Sequence, residues 1–347
     1  MTEIYTSTTV TPVLAARLRA MPKIELHVHL EGATDPTTVW EMAHRNGVTL
    51  PATTLAEWQS LYAFRDFPHF IDIYLLAASC MQTPADYAFM VERFLAQQAA
   101  QHIVYSEAFL SASLMLGKGS DDELIEALAA GAASGEAKYG SRVRFIPDIA
   151  RQLPETRQRV LEFTLRGHAR GLFLGLGLGG IEDGFPPELF IDVYEAARAA
   201  GLHVVAHAGE TTGPATIWGS LHALRAERIG HGVRAVDDPA LVAHLAATQI
   251  PLEISPYSNY RLGVTRGDQP HQIRALVDAG CCVTLASDDP PMFSTDLNAE
   301  YQLLAAQGFS WDEIWRINCT AVEVAFLPDD ERAALRAEFA AFVAAIP

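Results

Sequence analysis

Short runs rich in β-branched and apolar residues alternate with longer stretches in which Ala, Leu, Arg and Glu recur at helical spacing. The apolar runs predict strands over residues 24–30, 103–109, 143–149, 172–178, 203–207, 228–231, 251–255 and 282–286. Helical patterns fill 85–98, 122–138, 188–200, 239–247 and 270–279, several opening on Pro or Asp and closing near Gly, as helix ends favour. Strands each followed by helical sequence imply an α/β fold, a closed (β/α)8 TIM barrel. The competitor, an open doubly wound sheet, would usually carry a Gly-rich phosphate loop after its first strand. His27-Val28-His29 stands there instead.

The connection over 35–81 is long for one βα unit and holds Trp40, Trp58, Tyr62, Phe64, Phe67, Phe70 and Tyr74. It reads as helices folded over the barrel mouth, an apolar lid; a peripheral helical pair is the plainer alternative. No linker divides the chain, so residues 1–347 are expected to form one domain. The polar run Thr6, Ser7, Thr8 and Thr9 is expected to be loose.

A formal net charge of −17 repels phosphate backbones and anionic headgroups, which argues against nucleic-acid and membrane partners. Cys80, Cys281, Cys282 and Cys319 make no C-x-x-C pair, so free thiols are expected rather than a cysteine metal site. No apolar run has the length of a signal peptide or a membrane span, and a cytoplasmic protein is the expectation. Homo-oligomerisation is left open.

Residues two apart on a strand face the same way, so His27 and His29 point together into the interior at the end of the first predicted strand. A lone core histidine is more often a hydrogen-bonded structural residue; a pair at the functional end of a barrel points to a metal. The fifth predicted strand closes on His207-Ala208-Gly209-Glu210, the sixth on Gly230-His231-Gly232 and the eighth on Ser287-Asp288-Asp289-Pro290. These ends converge in a barrel. Several histidines and an aspartate meeting there, with room for water, suit a catalytic zinc site, whereas packing alone would leave costly buried polar groups. Plainer readings are a helix-start carboxylate for Glu210, a turn acid for Asp289 and a core histidine for His231. The remaining histidines (His44, His69, His102, His168, His203, His222, His244, His271) read as surface or core residues.

The segments from Pro22 to Gly32, His207 to Glu210, His231-Gly232 and Ser287 to Pro290 resemble the adenosine deaminase family, which includes adenine and aminodeoxyfutalosine deaminases. The resemblance implies one Zn²⁺ held by His27, His29, His207 and Asp288. It implies that Glu210 exchanges a proton with purine N1 and that His231 orients the attacking water beside Asp288. Asp289 would meet N7, the Gly180 backbone N3, and His29 and Glu31 would border the substrate. The implied reaction is hydrolytic loss of the 6-amino group from a purine, with a small-molecule purine as partner. Two departures bear on the far end of the substrate. Glu31 stands where adenosine deaminases commonly carry Asp, and Gly177 and Ile181 replace acids of the family's Asp-Leu-x-Gly-Asp-Glu pattern. A nucleoside with a larger 5′ substituent and free adenine both remain open, as do another mononuclear barrel amidohydrolase and a non-catalytic metal-binding relative. A binuclear site bridged by a carboxylated lysine is disfavoured, because the only lysines are Lys23, Lys118 and Lys138.

Overall fold

The computed structural model describes residues 4–345. Eight strands pair in parallel in chain order: β1 (Lys23–His29), β2 (Ile103–Leu110), β3 (Arg142–Ala150), β4 (Gly175–Gly179), β5 (His203–Ala208), β6 (Arg228–His231), β7 (Leu252–Ile254) and β8 (Val283–Leu285). The ring closes through a bridge between Val28 and Asp288. There the His29 N–H donates to the Asp288 carbonyl at 2.9 Å and the Asp288 N–H to the His27 carbonyl at 3.2 Å. This is the expected (β/α)8 barrel, with helices around it. Among the described residues no helix is long and apolar enough to cross a membrane, and the four cysteines are free.

β1 is not a uniform strand. Its register against β2 slips between Glu25 and Val28. Below the slip, Ile24 and Leu26 join Tyr105 in an apolar cluster with Leu335 and Phe339 near the C-terminus, while Glu25 accepts from Gln98 at 2.7 Å. Above it, His27 and His29 turn to the site. A bulge shifts the parity of a strand without ending it, and bulges gather beside functional sites for that reason.

The barrel floor is ionic. Arg228 on β6 meets Glu107 on β2 at 2.6 Å and Glu253 on β7 at 2.7 Å. Burial opposes its charge, yet the two carboxylates outweigh burial and raise its pKa. Phe326 lies 3.7 Å from the guanidinium, and its N–H donates to Glu107 at 2.6 Å, so the chain after β8 plugs the floor. Phe109, Ile146 and Val205 make a small apolar layer with Phe326 packed against it.

Three helices occupy the long first connection: Pro36–Asn46, Leu55–Ser60 and Phe67–Ser79. Asp35, Thr54 and Asp66 cap their N-termini with side-chain oxygens, the usual signal for a helix start. Phe64 and Phe70 pack on Phe293, just beyond β8, at ring separations of 6.1 and 5.0 Å.

Three expectations shift. β4 begins at Gly175 rather than Leu172, because Phe173 is spent on an isolated bridge to Phe145 and on packing against Gly167. The helix expected over 270–279 narrows to Ile273–Asp278, because His271 turns inward and its ring accepts the Ile273 N–H at 3.1 Å. The polar run near the N-terminus is tied down: the Ser7 and Thr8 N–H groups both donate to the Ala306 carbonyl, at 2.8 and 2.9 Å.

Removing Arg228 would strand two buried carboxylates. Arg228→Met is therefore expected to lower unfolding free energy by about 3–5 kcal/mol in urea titration. A loss under about 1 kcal/mol would mean that the floor is not held by this ion network.

Candidate active site

The strand ends bring every expected metal-site residue to one point. His29 Nε2 and His207 Nε2 lie 3.0 Å apart. Asp288 Oδ1 is 3.6 Å from His27 Nε2 and 3.4 Å from His29 Nε2. His231 is as close as the rest, with Nε2 3.9 Å from Asp288 Oδ2. His27, His207, His231 and Asp288 offer ligand atoms within 4.8 Å of one another, and His29, Asp288 and Asp289 form an overlapping group. All these side chains are buried.

The outer ring nitrogens fix which lone pairs face inward. His27 Nδ1 donates to the Glu253 carboxylate at 2.9 Å and His207 Nδ1 to the Leu178 carbonyl at 2.9 Å. Each leaves its Nε2 as an acceptor, the arrangement that outer hydrogen bonds give metal-binding histidines. His27 Nε2 is buried with no hydrogen-bond partner. His207 Nε2 faces another imidazole nitrogen, so the cluster presents lone pairs that a shared cation would satisfy. Burial, then the neighbouring imidazoles, holds His207 well below its ordinary pKa. Burial brings His29 to about 3 and His231 to about 4, so these rings are neutral at neutral pH. Burial also disfavours the charged form of His27, but Asp288 and Glu253 outweigh it and raise its pKa to about 9. The same two carboxylates would favour a divalent ion in the proton's place. Asp288 is held well below the carboxylate range, as His27 and His231 outweigh burial.

The backbone is strained where the site needs it. His231 and Asp288 adopt φ of 60° and 65°, a region that costs non-glycine residues about 1–3 kcal/mol. Glu25 helps secure Asp288 by accepting the Ser287 N–H at 3.0 Å.

Three carboxyl groups stand around this point in different states. Glu210 is driven well above its ordinary pKa by burial and by the charges of Asp288 and Glu182, which makes it a neutral acid. Asp289 is raised likewise, by burial and by Asp288. Its Oδ1 is buried and unpartnered, and a Cβ at Gly32 would sit only 1.6 Å from that oxygen. Glu182 is instead lowered, because Arg151 and the Thr212, Thr211 and Thr216 hydrogen bonds outweigh burial. It accepts the N–H groups of Gly209, Glu210 and Thr211 at 2.9, 3.0 and 2.8 Å and so fixes the loop carrying Glu210.

A cavity of about 630 Å³, its open mouth included, leads from this cluster to the surface. Its inner wall holds His29, Asp148, Gly180, His207, Glu210, His231, Asp288 and Asp289. Its outer wall is apolar: Phe67, Phe70, Ile71 and Leu75 from helix Phe67–Ser79, with Leu114 and Leu262 opposite. Among its lining residues there is no Lys or Arg. Glu31 stands behind the wall rather than on it. It accepts from the Ser111 N–H at 3.1 Å and the Tyr74 hydroxyl at 3.4 Å, and both those residues line the cavity. Gly180, at φ +87°, is held against Gln152, whose side-chain oxygen a Cβ would meet at 2.3 Å.

Sequence reasoning missed the supporting residues. Glu182 was visible as the retained acid of a motif, without its loop-clamping role. Glu253, Asn259 and His271 carried no sequence signal, because isolated polar residues in loops, short strands or a short helix look alike until the fold assembles them.

A family model described as adenosine deaminase matches residues 22–342. The chain is 37% identical over 334 residues to the aminodeoxyfutalosine deaminase of Streptomyces avermitilis, covering 94% of this chain and 93% of that one. Its fold superposes on the crystal structure of adenine deaminase from Arthrobacter aurescens with a TM-score of 0.88 at 31% identity, covering 94% and 100% of the two chains. It also matches an amidohydrolase from Burkholderia ambifaria with bound Zn, at a TM-score of 0.89 and 25% identity, covering 98% and 95%.

Gly230 leaves no room for a side chain: a Cβ would lie 2.6 Å from His27 Cε1 and 3.1 Å from its Nδ1. Because Glu253 pins that ring, Gly230→Ala is expected to weaken metal binding about 10–100-fold, the usual cost of disturbing a ligand's support. Competition with a chelator, with circular dichroism to check folding, measures this. Unchanged affinity would show that His27 is not a ligand.

Proposed function

This chain belongs to the adenosine deaminase family and is a hydrolytic deaminase, and on that premise we propose that it removes the 6-amino group of a purine nucleoside whose 5′ end carries a large substituent. The observation that carries the substrate reading is the lining of the cavity. Polar groups, among them Glu210, His231 and Asp289, line it beside the metal cluster, while Phe67, Ile71, Leu75, Leu114 and Leu262 add an apolar wall suited to a non-polar substituent on the substrate. The absence of a cation among its lining residues argues against a phosphorylated substrate. Free adenine is the second reading. It is favoured by Glu31, whose carboxyl group is already engaged by Ser111 and Tyr74 and so is withdrawn from a ribose hydroxyl.

In this reading His27, His29, His207 and Asp288 hold one zinc ion. When bound, zinc supplies Lewis acidity that lowers the pKa of water towards about 7. The chain's own groups do the rest. Glu210, kept neutral by burial and neighbouring charge, donates its proton to N1, which makes C6 electrophilic. His231 donates a hydrogen bond to the attacking water oxygen, and Asp289 engages N7. The Gly180 backbone borders N3. The water oxygen adds to C6 as one of its protons passes to Glu210, which hands it to N6; the C6–N6 bond then breaks and ammonia leaves. The second water proton returns to Glu210, so the acid is restored and the 6-oxopurine keeps the proton on N1. The segment 35–81 acts as the lid, its helix Phe67–Ser79 excluding water from the far end of the substrate.

The test compares kcat/KM for adenine, adenosine and adenosines enlarged at the 5′ position, using zinc-loaded protein. Highest efficiency with an apolar 5′ substituent is expected; preference for adenine would select the second reading, and no ammonia from any 6-aminopurine would reject both. Glu210→Gln is expected to keep its zinc and lose about 10²–10⁴-fold in kcat. Near-normal turnover would remove Glu210 from the chemistry.

A further inference from the structure

Five side chains crowd the candidate metal point, and proximity alone does not say which of them grip an ion. His231 is the ambiguous one. It belongs to the group His27, His207, His231 and Asp288 by distance, yet its Nε2 also lies 3.7 Å from Glu210 Oε1. What decides its role is which ring nitrogen carries the proton.

A buried chain of hydrogen bonds answers that. It begins at the Ile273 N–H, which meets His271 Nδ1 at 3.1 Å. A backbone amide can only donate, so His271 Nδ1 must accept. A neutral ring with an accepting Nδ1 carries its proton on Nε2. His271 is 1% exposed, and burial lowers its pKa to about 3, consistent with neutrality. His271 Nε2–H therefore donates to Asn259 Oδ1, at 3.0 Å. With its oxygen so engaged, the Asn259 amide must present its NH₂ to His231 Nδ1, 3.3 Å away. The opposite amide orientation would set two donors head to head. His231 Nδ1 thus accepts, and its proton sits on Nε2, aimed at the space between Glu210 and Asp288.

We infer that Asn259 and His271 are positioning residues that lock His231 in its Nε2–H form, which bars it from the metal and fixes it as a hydrogen-bond donor to the reacting oxygen. The inference rests on the proposed deaminase reading for its catalytic meaning, but the tautomer itself does not. The asymmetry with the other rings supports it. His27 and His207 meet acceptors at Nδ1 and so offer bare Nε2 atoms; His231 alone meets a donor there.

The decisive measurement is the ¹⁵N spectrum of histidine-labelled, zinc-loaded protein, with His231 assigned by its loss in His231→Asn. A protonated Nε2 and bare Nδ1 at neutral pH are expected; the reverse pattern overturns the inference whether or not the protein deaminates anything. Asn259→Asp presents a carboxylate to Nδ1 and should move the proton there. It should keep full zinc content and near-normal KM while kcat falls about 10–100-fold. His271→Phe should act in the same direction. His271→Gln, which can accept from Ile273 and donate to Asn259, should recover most of that loss. Equal losses in His271→Gln and His271→Phe, or zinc lost in step with kcat, would reduce the chain to packing and reject the role. If wild-type protein deaminates no 6-aminopurine yet shows the Nε2–H form, the functional reading fails and the tautomer assignment stands.

Discussion

An ionisable group taken out of water must find a partner or give up its charge, and the interior of this barrel is organised around that requirement. At the floor the requirement is met within the protein: Arg228 is matched by Glu107 and Glu253. One step higher, Glu253 spends its second oxygen on His27. At the mouth the matching stops. Imidazoles and an aspartate converge there, and no Lys or Arg stands among the residues lining the cavity. The result is a graded interior, balanced at the bottom and electron-rich at the top. That is what lets Glu210 and Asp289 remain neutral acids beside an ionised Asp288.

The fold was legible because short apolar or β-branched runs alternate with longer stretches of helical spacing, and some helices open on a capping residue, as at Asp35 and Asp238. The chemistry was legible where it is written as short strings, as in His27-Val28-His29 and Ser287-Asp288-Asp289. The two-residue spacing placed both histidines correctly, although the bulge above Glu25 means that the lower half of β1 faces the other way. No sequence pattern distinguishes that slip, since both parities of this strand are buried.

What sequence could not supply is the set of groups that give the ligands their orientation. His271 looked like one more loop histidine and stood inside a stretch that reads as helix. Its inward turn makes it the acceptor at that helix's start and the middle of a buried polar chain. Glu31 is a different case. Its place in the motif suggested a position bordering the substrate; in the fold its carboxyl group is engaged by Tyr74 and Ser111, which themselves line the cavity, and only three-dimensional packing reveals this.

The seam of the barrel adds a mechanical consequence. β8 joins β1 by one short bridge, and the residue that makes the bridge on the β8 side is Asp288, whose carboxylate also faces the imidazoles. Anything that clasps that carboxylate together with His27 and His29 also sews the last strand to the first. Binding at the centre and closing the cylinder are thereby coupled.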